Sequence, residues 1–579
     1  MHAAAGWIPF LRGLGGYQRG WLPRDLLAGG SVAVVMIPSV LAYAELAGLA
    51  PLHGLYAALA GMVGYALFAS SRLVVAGPDA SITLLLAAAV GPLAAGDPAR
   101  AATLSAMAAL LVGGIMLLGA LLRVGIVADF LARPVLVGFM AGASLVLIST
   151  QLGKLVGLDL GSGSPVATVR ALIQQLPSVH GLTLVIGLTC IALLAALRQL
   201  LPRVPAALVL FLLAEAASLL FDLPGRGVRV VGVVERGLPA FEFPSAPVAD
   251  LQAIAPAAIA IAILTFSEGV LLARAFALHH GETVRPNQEL AALGASNVAA
   301  GLFQGFPVGA SQSRTTVNAG TGGRTQVAGM AAAAMLALFL LFLTPVLAPL
   351  PVVVLAAILV EAASHLLGIR DFISLQRMGW KPLALAVLVA AGVVLAGVVQ
   401  GILLGVIVSL LHLLVSMARP LDAVLREREQ SGRYHDLGPL DGDLDDALDE
   451  GPVTTVPGLV AYRFYAPLCF ANADHFAQRV RALVSQAHAP VKWLVLDAQA
   501  IWELDVTAAE MLTRLHTELQ KRGVSFRLAR VNRPLREQLE RIGLMRAFGA
   551  DAIYNSVHAA VRDFREHAAG GGDAASAVA

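Results

Sequence analysis

The sequence predicts a polytopic α-helical membrane protein followed by a small α/β domain. Three observations predict it. Of 579 residues, 58% are hydrophobic and only 13% charged, and the mean hydropathy is +0.77; a soluble protein carries about 25% charged residues. Between Leu26 and Met417, apolar segments of spanning length follow one another with short breaks, and a helix needs about 20 apolar residues to cross the hydrocarbon. After Arg419 the composition turns charged, and strand and helix patterns alternate to about Phe564. The balance of 40 Lys+Arg against 38 Asp+Glu argues against nucleic acid as the main partner. Cys190 and Cys469 provide neither a disulfide framework nor a metal-ligand cluster. No P-loop, nucleophile elbow or metal motif occurs, so the reading is of a non-enzyme with no cofactor and no metal.

In chain order, residues 1–23 place Arg12 and Arg19, with Arg24 just beyond, around Trp7, Phe10, Tyr17 and Trp21. They lack the compact apolar stretch and small-residue cleavage site of a signal peptide, and read as a cytoplasmic or interfacial segment with a short amphipathic helix. The membrane domain is expected over 24–420. Its spans fall at 26–44, 52–69, 79–95, 101–122, 134–153, 182–200 and 205–221, then at 252–278, 287–304, 311–321, 325–346, 351–364, 381–397 and 399–418. The two sets define halves of about 24–222 and 250–420. Segments 311–321 and 351–364 are too short to cross alone, and 79–95 is marginal. An even number of spans puts both ends on one side. On that side lie Arg72, Arg123, Arg133, Arg198, Arg203, Arg274, Arg285, Arg324, Arg370, Arg377, Lys381 and Arg419. The other side holds Arg100, Lys154, Arg170, Arg226, Arg229 and Arg236. The excess predicts cytoplasmic termini.

Residues 421–452 read as an acidic linker, ending in the run Asp441, Asp443, Asp445, Asp446, Asp449, Glu450. The soluble domain is expected over 453–565. Its strands lie at Val460-Ala-Tyr-Arg-Phe, Lys492-Trp-Leu-Val-Leu-Asp and Ser525-Phe-Arg-Leu-Ala, with helices at 472–487, 507–521 and 534–547. Such alternation implies a layered α/β structure. The tail 566–579 reads as disordered.

Two interrupted segments carry the chemistry. The first is Val74-Val-Ala-Gly-Pro-Asp-Ala-Ser-Ile-Thr; the second is Gly305-Phe-Pro-Val-Gly-Ala-Ser-Gln-Ser-Arg. Pro78 and Pro307 disfavour helix before them and remove a donor. Each following helix therefore starts after extended backbone at membrane depth, which is tolerated only where it is buried in protein or lines a cavity. A helix start exposes free N–H groups and a partial positive charge, a ready anion site. The breaks occur in the third span of each half, the pattern of an inverted-repeat transporter with a midplane site. The alternative is that each is a plain kink.

These residues also resemble a family. Pro38-Ser-Val-Leu-Ala-Tyr-Ala-Glu-Leu-Ala-Gly-Leu, Pro51-Leu-His-Gly-Leu-Tyr56, Ser70-Ser-Arg72 and Gly77-Pro78 are similar to the signature of the SulP sulfate-permease anion transporters. So are Asn287-Gln-Glu-Leu-x-Ala-x-Gly294, Ser311-Gln-Ser-Arg314 and Gly320-Thr-Gly-Gly-Arg-Thr-Gln326. The downstream domain resembles the STAS domain that these proteins carry. The resemblance covers roughly residues 20–565. It implies fourteen helices in two inverted repeats of seven, arranged as a core and a gate domain. It also implies a homodimer with cytoplasmic termini and a movement of core against gate.

Carried over block by block, the anion lies between the starts of the third and tenth spans. Asp79, Ala80 and Ser81 contribute from one side, and Ala310, Ser311, Ser313 and Arg314 from the other, with Ser39 and Tyr43 as the remaining wall. Hydroxyls in a first helical turn can donate to an oxyanion without placing a full charge in lipid; the alternative is a bond back to a carbonyl one turn away. Arg314 either attracts the anion or joins a structural ion pair. Glu268, a lone carboxylate in the eighth span, is the candidate for coupling to protons or sodium, the proton being favoured, or else a fixed salt bridge to Arg314. Asp79 caps the third span or shares in cation coupling. Glu45 reads as an interface or helix-end residue, His279 and His280 as loop, His365 and His412 as packing. Thr507 matches the regulatory phosphoserine position of STAS antagonists, although the plain reading of a capped helix start is the better one, Thr and Asp being common there.

The resulting expectation is a secondary transporter of a small inorganic anion, sulfate first, coupled to protons, in the inner (plasma) membrane. Bicarbonate or dicarboxylate symport, coupled to protons or sodium, and an uncoupled exchanger or channel are alternatives. A membrane-tethered regulator acting through a protein partner of the STAS domain is a third class.

Overall fold

The structure, a computed structural model, describes residues 9–125, 132–160, 164–201, 205–280, 283–427, 434–436, 455–487 and 489–576. It divides into two compact units, Met1–Ser409 and Leu410–Ala579.

The first half of the membrane unit contains α1 (Pro9–Leu14), α2 (Leu22–Leu46), α3 (Pro51–Phe68), strand β1 (Ala76–Gly77), α4 (Ala80–Ala94), α5 (Pro98–Leu121), α6 (Arg133–Val156), α7 (Pro165–Gln174), α8 (Gly181–Leu200) and α9 (Ala206–Phe221). The second contains α10 (Val248–His280), α11 (Pro286–Leu302), strand β2 (Gly309–Ala310), α12 (Gln312–Gly320), α13 (Val327–Phe342), α14 (Val352–Leu366), α15 (Ile369–Met378), α16 (Trp380–Ala396) and α17 (Val398–Ala418). Among the described residues, fourteen of these helices coincide with the fourteen expected spans. Eight described stretches are long and apolar enough to cross a membrane, one of them α14 and α15 together (Val352–Met378), and Ala80–Ala94, Ala206–Phe221, Val327–Phe342 and Trp380–Ala396 are shorter apolar helices. Proline stands in the first turn of α3, α5, α6 and α11, where its missing N–H costs nothing. The backbone of α10 continues to His280, so His279 and His280 end a helix instead of lying in a loop.

Packing repeats between the halves. Helix α2 packs on α13 as α10 packs on α5; α3 meets α13 as α11 meets α5; and α6 meets α16 as α14 meets α8. Pairs α3–α11 and α6–α14 lie across the dyad. Helices α2–α5 with α10–α13 thus form a core group, and α6, α8, α9, α14, α16 and α17 a gate group. In lipid, helices associate through close packing of small residues. On Gly138 of α6 a Cβ would sit 2.2 Å from the Ala386 carbonyl of α16, so only glycine fits that crossing. Glu45 of α2 pairs with Lys154 of α6 at 3.1 Å, joining the two groups, which bears out its reading as an interface residue.

The C-terminal unit contains β3 (Asp422–Glu427), β4 (Tyr434–Asp436), β5 (Leu459–Phe464), α18 (Ala473–Ser485), β6 (Trp493–Asp497), α19 (Val506–Lys521), β7 (Ser525–Ala529), α20 (Arg533–Arg541), α21 (Leu544–Phe548), β8 (Ile553–Tyr554) and α22 (Val557–Ser576). Sheet order is β4-β3-β5-β6-β7-β8, parallel from β5 to β8 and antiparallel at β3. The central β6 is buried along its whole length, because one face packs on α18–α20 and the other on α22.

Two expectations for this unit change. Residues 421–452 are not linker from the start: Asp422–Glu427 pairs with β5, burying Ala423, Val424 and Leu425, and Asp422 accepts from Tyr462 Oη at 2.6 Å and Arg479 Nε at 2.8 Å. The acidic run 441–450 lies outside the described residues. The tail expected to be disordered from 566 is helix to Ser576, continuing α22.

Candidate anion site

The site begins with the backbone of the two breaks. Strands β1 and β2 pair antiparallel, Ala76 opposite Ala310 and Gly77 opposite Gly309. The Ser311 N–H extends the ladder to the Val75 carbonyl at 3.0 Å. A Cβ on Gly309 would lie 2.3 Å from Ile82 Cδ1, so any larger residue here would require the end of the Ile82 side chain to move. Helices α4 and α12 leave from opposite ends of the ladder, which brings their positively polarised starts together inside the unit.

Side chains satisfy the rest of the extended backbone. Thr315 Oγ1 accepts from Val75 N at 3.1 Å, Asn318 Nδ2 donates to Leu73 O at 2.7 Å, and Arg314 Nη2 donates to Pro78 O at 2.6 Å. Gln326 Nε2 donates to both Ser71 O and Val74 O at 2.9 Å. The second break is held by Asn297, which donates to Val308 O at 2.9 Å and accepts from Val308 N at 3.0 Å.

Two buried carboxylates anchor this frame, and neither was singled out from the sequence. Glu289 accepts from Tyr65 Oη and Ser70 Oγ at 2.6 Å and from the N–H groups of Ser70 and Ser71 at 2.8 Å. Asp25 accepts from Arg324 N at 2.6 Å, Thr325 Oγ1 at 2.7 Å and Tyr17 Oη at 3.1 Å. An acid in a first helical turn reads as a dipole complement, so nothing local marks these as clamps. Glu289 did lie inside the Asn287-Gln-Glu block that carries the resemblance.

The expected site residues gather at the breaks. Arg314, 2% exposed, has a buried Nε without a hydrogen-bond partner. Tyr43 lies within charge-interaction range of both Asp79 and Arg314. Asp79 caps α4, its Oδ1 accepting from Ser81 N at 3.2 Å and Ser81 Oγ at 3.0 Å. Glu268 neighbours Ser81 and Asp79, and its shielded Oε1 has no hydrogen-bond partner. Among the described residues no ion pair joins Glu268 to Arg314. Ser311 Oγ and Ser313 Oγ lie 3.3 Å apart, Ser311 buried and Ser313 exposed. Ala80 and Ala310 are buried beside them. The Ser39 hydroxyl donates to its own helix at Met36 O, 2.8 Å away. Thr265 and Ser267, buried on α10 next to Glu268 in the chain, also have unpartnered hydroxyls. Among the described residues no cluster of His, Cys, Asp or Glu could hold a metal. His365 and His412 are exposed rather than packed, and His365 meets Glu361 at 3.1 Å.

In the C-terminal unit, Asp505 caps α19 through Ala508 N at 2.8 Å, and Thr507 is exposed in the first turn.

Comparison with known proteins decides the family. The sulfate permease family profile matches residues 22–391 and the STAS domain profile residues 452–560. The chain belongs to the sulfate permease family. A probable sulfate transporter of Mycobacterium tuberculosis is 41% identical over 562 residues, 97% of this chain and 99% of that protein. Human sulfate anion transporter 1 is 28% identical, covering 96% of this chain and 91% of that one. The murine solute carrier 26 family member A9 anion transporter, solved in an inward-facing state, superposes with a TM-score of 0.87 at 23% identity, over 98% of this chain and 95% of that chain. The transmembrane domain of a cyanobacterium bicarbonate transporter gives 0.59 at 24% identity, over 68% of this chain and 98% of that one. This sulfate permease family member is therefore a multi-pass membrane protein and an anion transporter, not an enzyme, with a C-terminal STAS domain.

Proposed function

We propose that the chain is a secondary active transporter of sulfate, coupled to protons, working by movement of the core group against the gate group. The observation that carries this reading is the ladder between β1 and β2, which brings two helix starts and Arg314 to one place. Ser311, Ser313 and Arg314 bind the anion, with Tyr43, Asp79, Ala80, Ser81 and Ala310 around it and Ser39 on the outer wall. Glu268 carries the coupling proton: its carboxylate is buried beside Ser81 and Asp79 with Oε1 unpartnered, and among the described residues no cation pairs with it to hold it ionised. The names of the sequence relatives argue for sulfate among small anions.

The chain sits in the inner or plasma membrane as a homodimer with both termini cytoplasmic, in keeping with its arginine distribution. The STAS domain receives a regulatory partner at the exposed first turn around Thr507.

The test is uptake by purified protein in proteoliposomes across sulfate, bicarbonate, chloride, nitrate, fumarate and succinate, with and without a pH gradient. Sulfate is expected to be taken up fastest and driven by inward protons. The Glu268→Gln protein should respond to the anion gradient alone. A pH response unchanged by that substitution rejects the coupling role, and a sodium requirement replaces proton with sodium.

A further inference from the structure

Where α6 ends and α8 and α14 begin, the structure holds a cavity of about 180 Å³. Lys154, His180, Thr183 and Arg229 line it. It is separate from the site between the breaks and plays no part in the transport reading above.

The cavity is electropositive for several independent reasons. Lys154 and Arg229 carry full charges, and among the described residues no carboxylate pairs with Arg229. Helices α8 and α14 both start at its wall, with His180 the N-cap of α8. At the opposing C-terminus of α6 two end carbonyls are already occupied: His180 N donates to Val156 O at 3.1 Å and Leu158 N to Gly153 O at 2.8 Å. His180 Nδ1 is engaged with Thr183 Oγ1 at 2.7 Å. Its Nε2 faces Gly227, where a Cβ would stand 3.6 Å away.

Lys154 also makes the 3.1 Å pair with Glu45 that joins α6 of the gate group to α2 of the core group. Both side chains are half-buried, and the second carboxylate oxygen of Glu45 is shielded and without a hydrogen-bond partner. One ammonium thus stands between a carboxylate of the core and an otherwise cationic hollow of the gate.

We infer that Lys154, His180, Thr183 and Arg229 form a second anion site, for a small oxyanion, whose occupant competes with Glu45 for Lys154. Filling it loosens the contact between the two helix groups there. A tetrahedral oxyanion fits the volume, and its oxygens suit two cations and a hydroxyl.

The experiment uses selenate as the probe on the purified full chain, locating selenium by anomalous scattering. A peak is expected in this cavity in the native protein, whatever happens between the breaks. The double variant His180→Ala/Arg229→Ala should lose it, with half-saturation raised by about ten-fold or more. Glu45→Gln should bind more tightly, because Lys154 is released. Arg229→Lys should keep most of the occupancy, which separates loss of charge from misfolding. A cavity empty of selenate in the native protein overturns the site. Weaker binding in Glu45→Gln overturns the competition. Occupancy here without uptake of any anion would leave this site standing and remove the sulfate reading instead.

Discussion

The two breaks share a position in their halves and an antiparallel ladder, yet they are chemically opposite. At the start of α4 the hydroxyl of Ser81 is consumed by Asp79, and Glu268 stands alongside. At the start of α12 the hydroxyls of Ser311 and Ser313 face only each other, and Arg314 follows one turn in. Support is also unequal. The extended stretch before α4 is held by Arg314, Thr315, Asn318 and Gln326 from the other half, whereas the stretch before α12 is held by Asn297 of its own half. A duplicated architecture has thus been furnished unequally: carboxylates stand beside the first break and a hydroxyl pair at the second, and the guanidinium of Arg314 reaches from the second to Pro78 O of the first.

The contrast can be broken most severely at Arg314. Arg314→Ala removes the one cation among the expected site residues and strands the Pro78 carbonyl, so uptake should fall about 100-fold, or about 3 kcal/mol. Arg314→Lys, which keeps charge without the planar fork, should fall between that variant and the native protein. Uptake near the native rate in Arg314→Ala would erase the distinction between the breaks. A second change tests the frame rather than the site. Glu289→Gln weakens four charge-assisted bonds and should cost about 2 kcal/mol of stability, read as a lower melting temperature in detergent. An unshifted melting temperature would show that the clamp is not holding the breaks in place. A smaller effect is expected at Asp79→Asn. Asparagine caps as well as aspartate, so stability should hold within a few tenths of a kcal/mol, while loss of a repelling charge should raise anion affinity by about three-fold. Loss of the pH response in the same variant would instead give Asp79 a share in coupling.

Much of this was legible in the sequence, for reasons that differ by region. Lipid imposes a contrast of long apolar runs against short charged loops, so the fourteen spans could be read almost to their ends. Gly77-Pro78 and Pro307 announced the breaks because proline forbids the helix that precedes it. What escaped was short or depended on distant partners. Helices α7 and α15 are ten-residue amphipathic pieces inside loops. Strand β3 has three apolar residues beside a charged stretch and becomes a strand only by pairing with β5. The stitching of the 71–78 backbone by Thr315, Asn318 and Gln326 joins residues some 240 positions apart, and no periodicity reports that. The bond of Ser39 Oγ back to Met36 O was likewise not announced, because any hydroxyl on a helix has a carbonyl of its own within reach.

The division of labour between the breaks is tested most directly by anion uptake at increasing concentration for Ser313→Ala beside Ser81→Ala. Ser313→Ala should need about ten-fold more anion for half-maximal uptake, since it breaks the hydroxyl pair at the start of α12, whose members bond only each other. Ser81→Ala should stay within about two-fold of the native protein, its hydroxyl being already bonded to Asp79. The reverse order, with Ser81→Ala impaired and Ser313→Ala unaffected, would place the anion at the start of α4 and contradict the account.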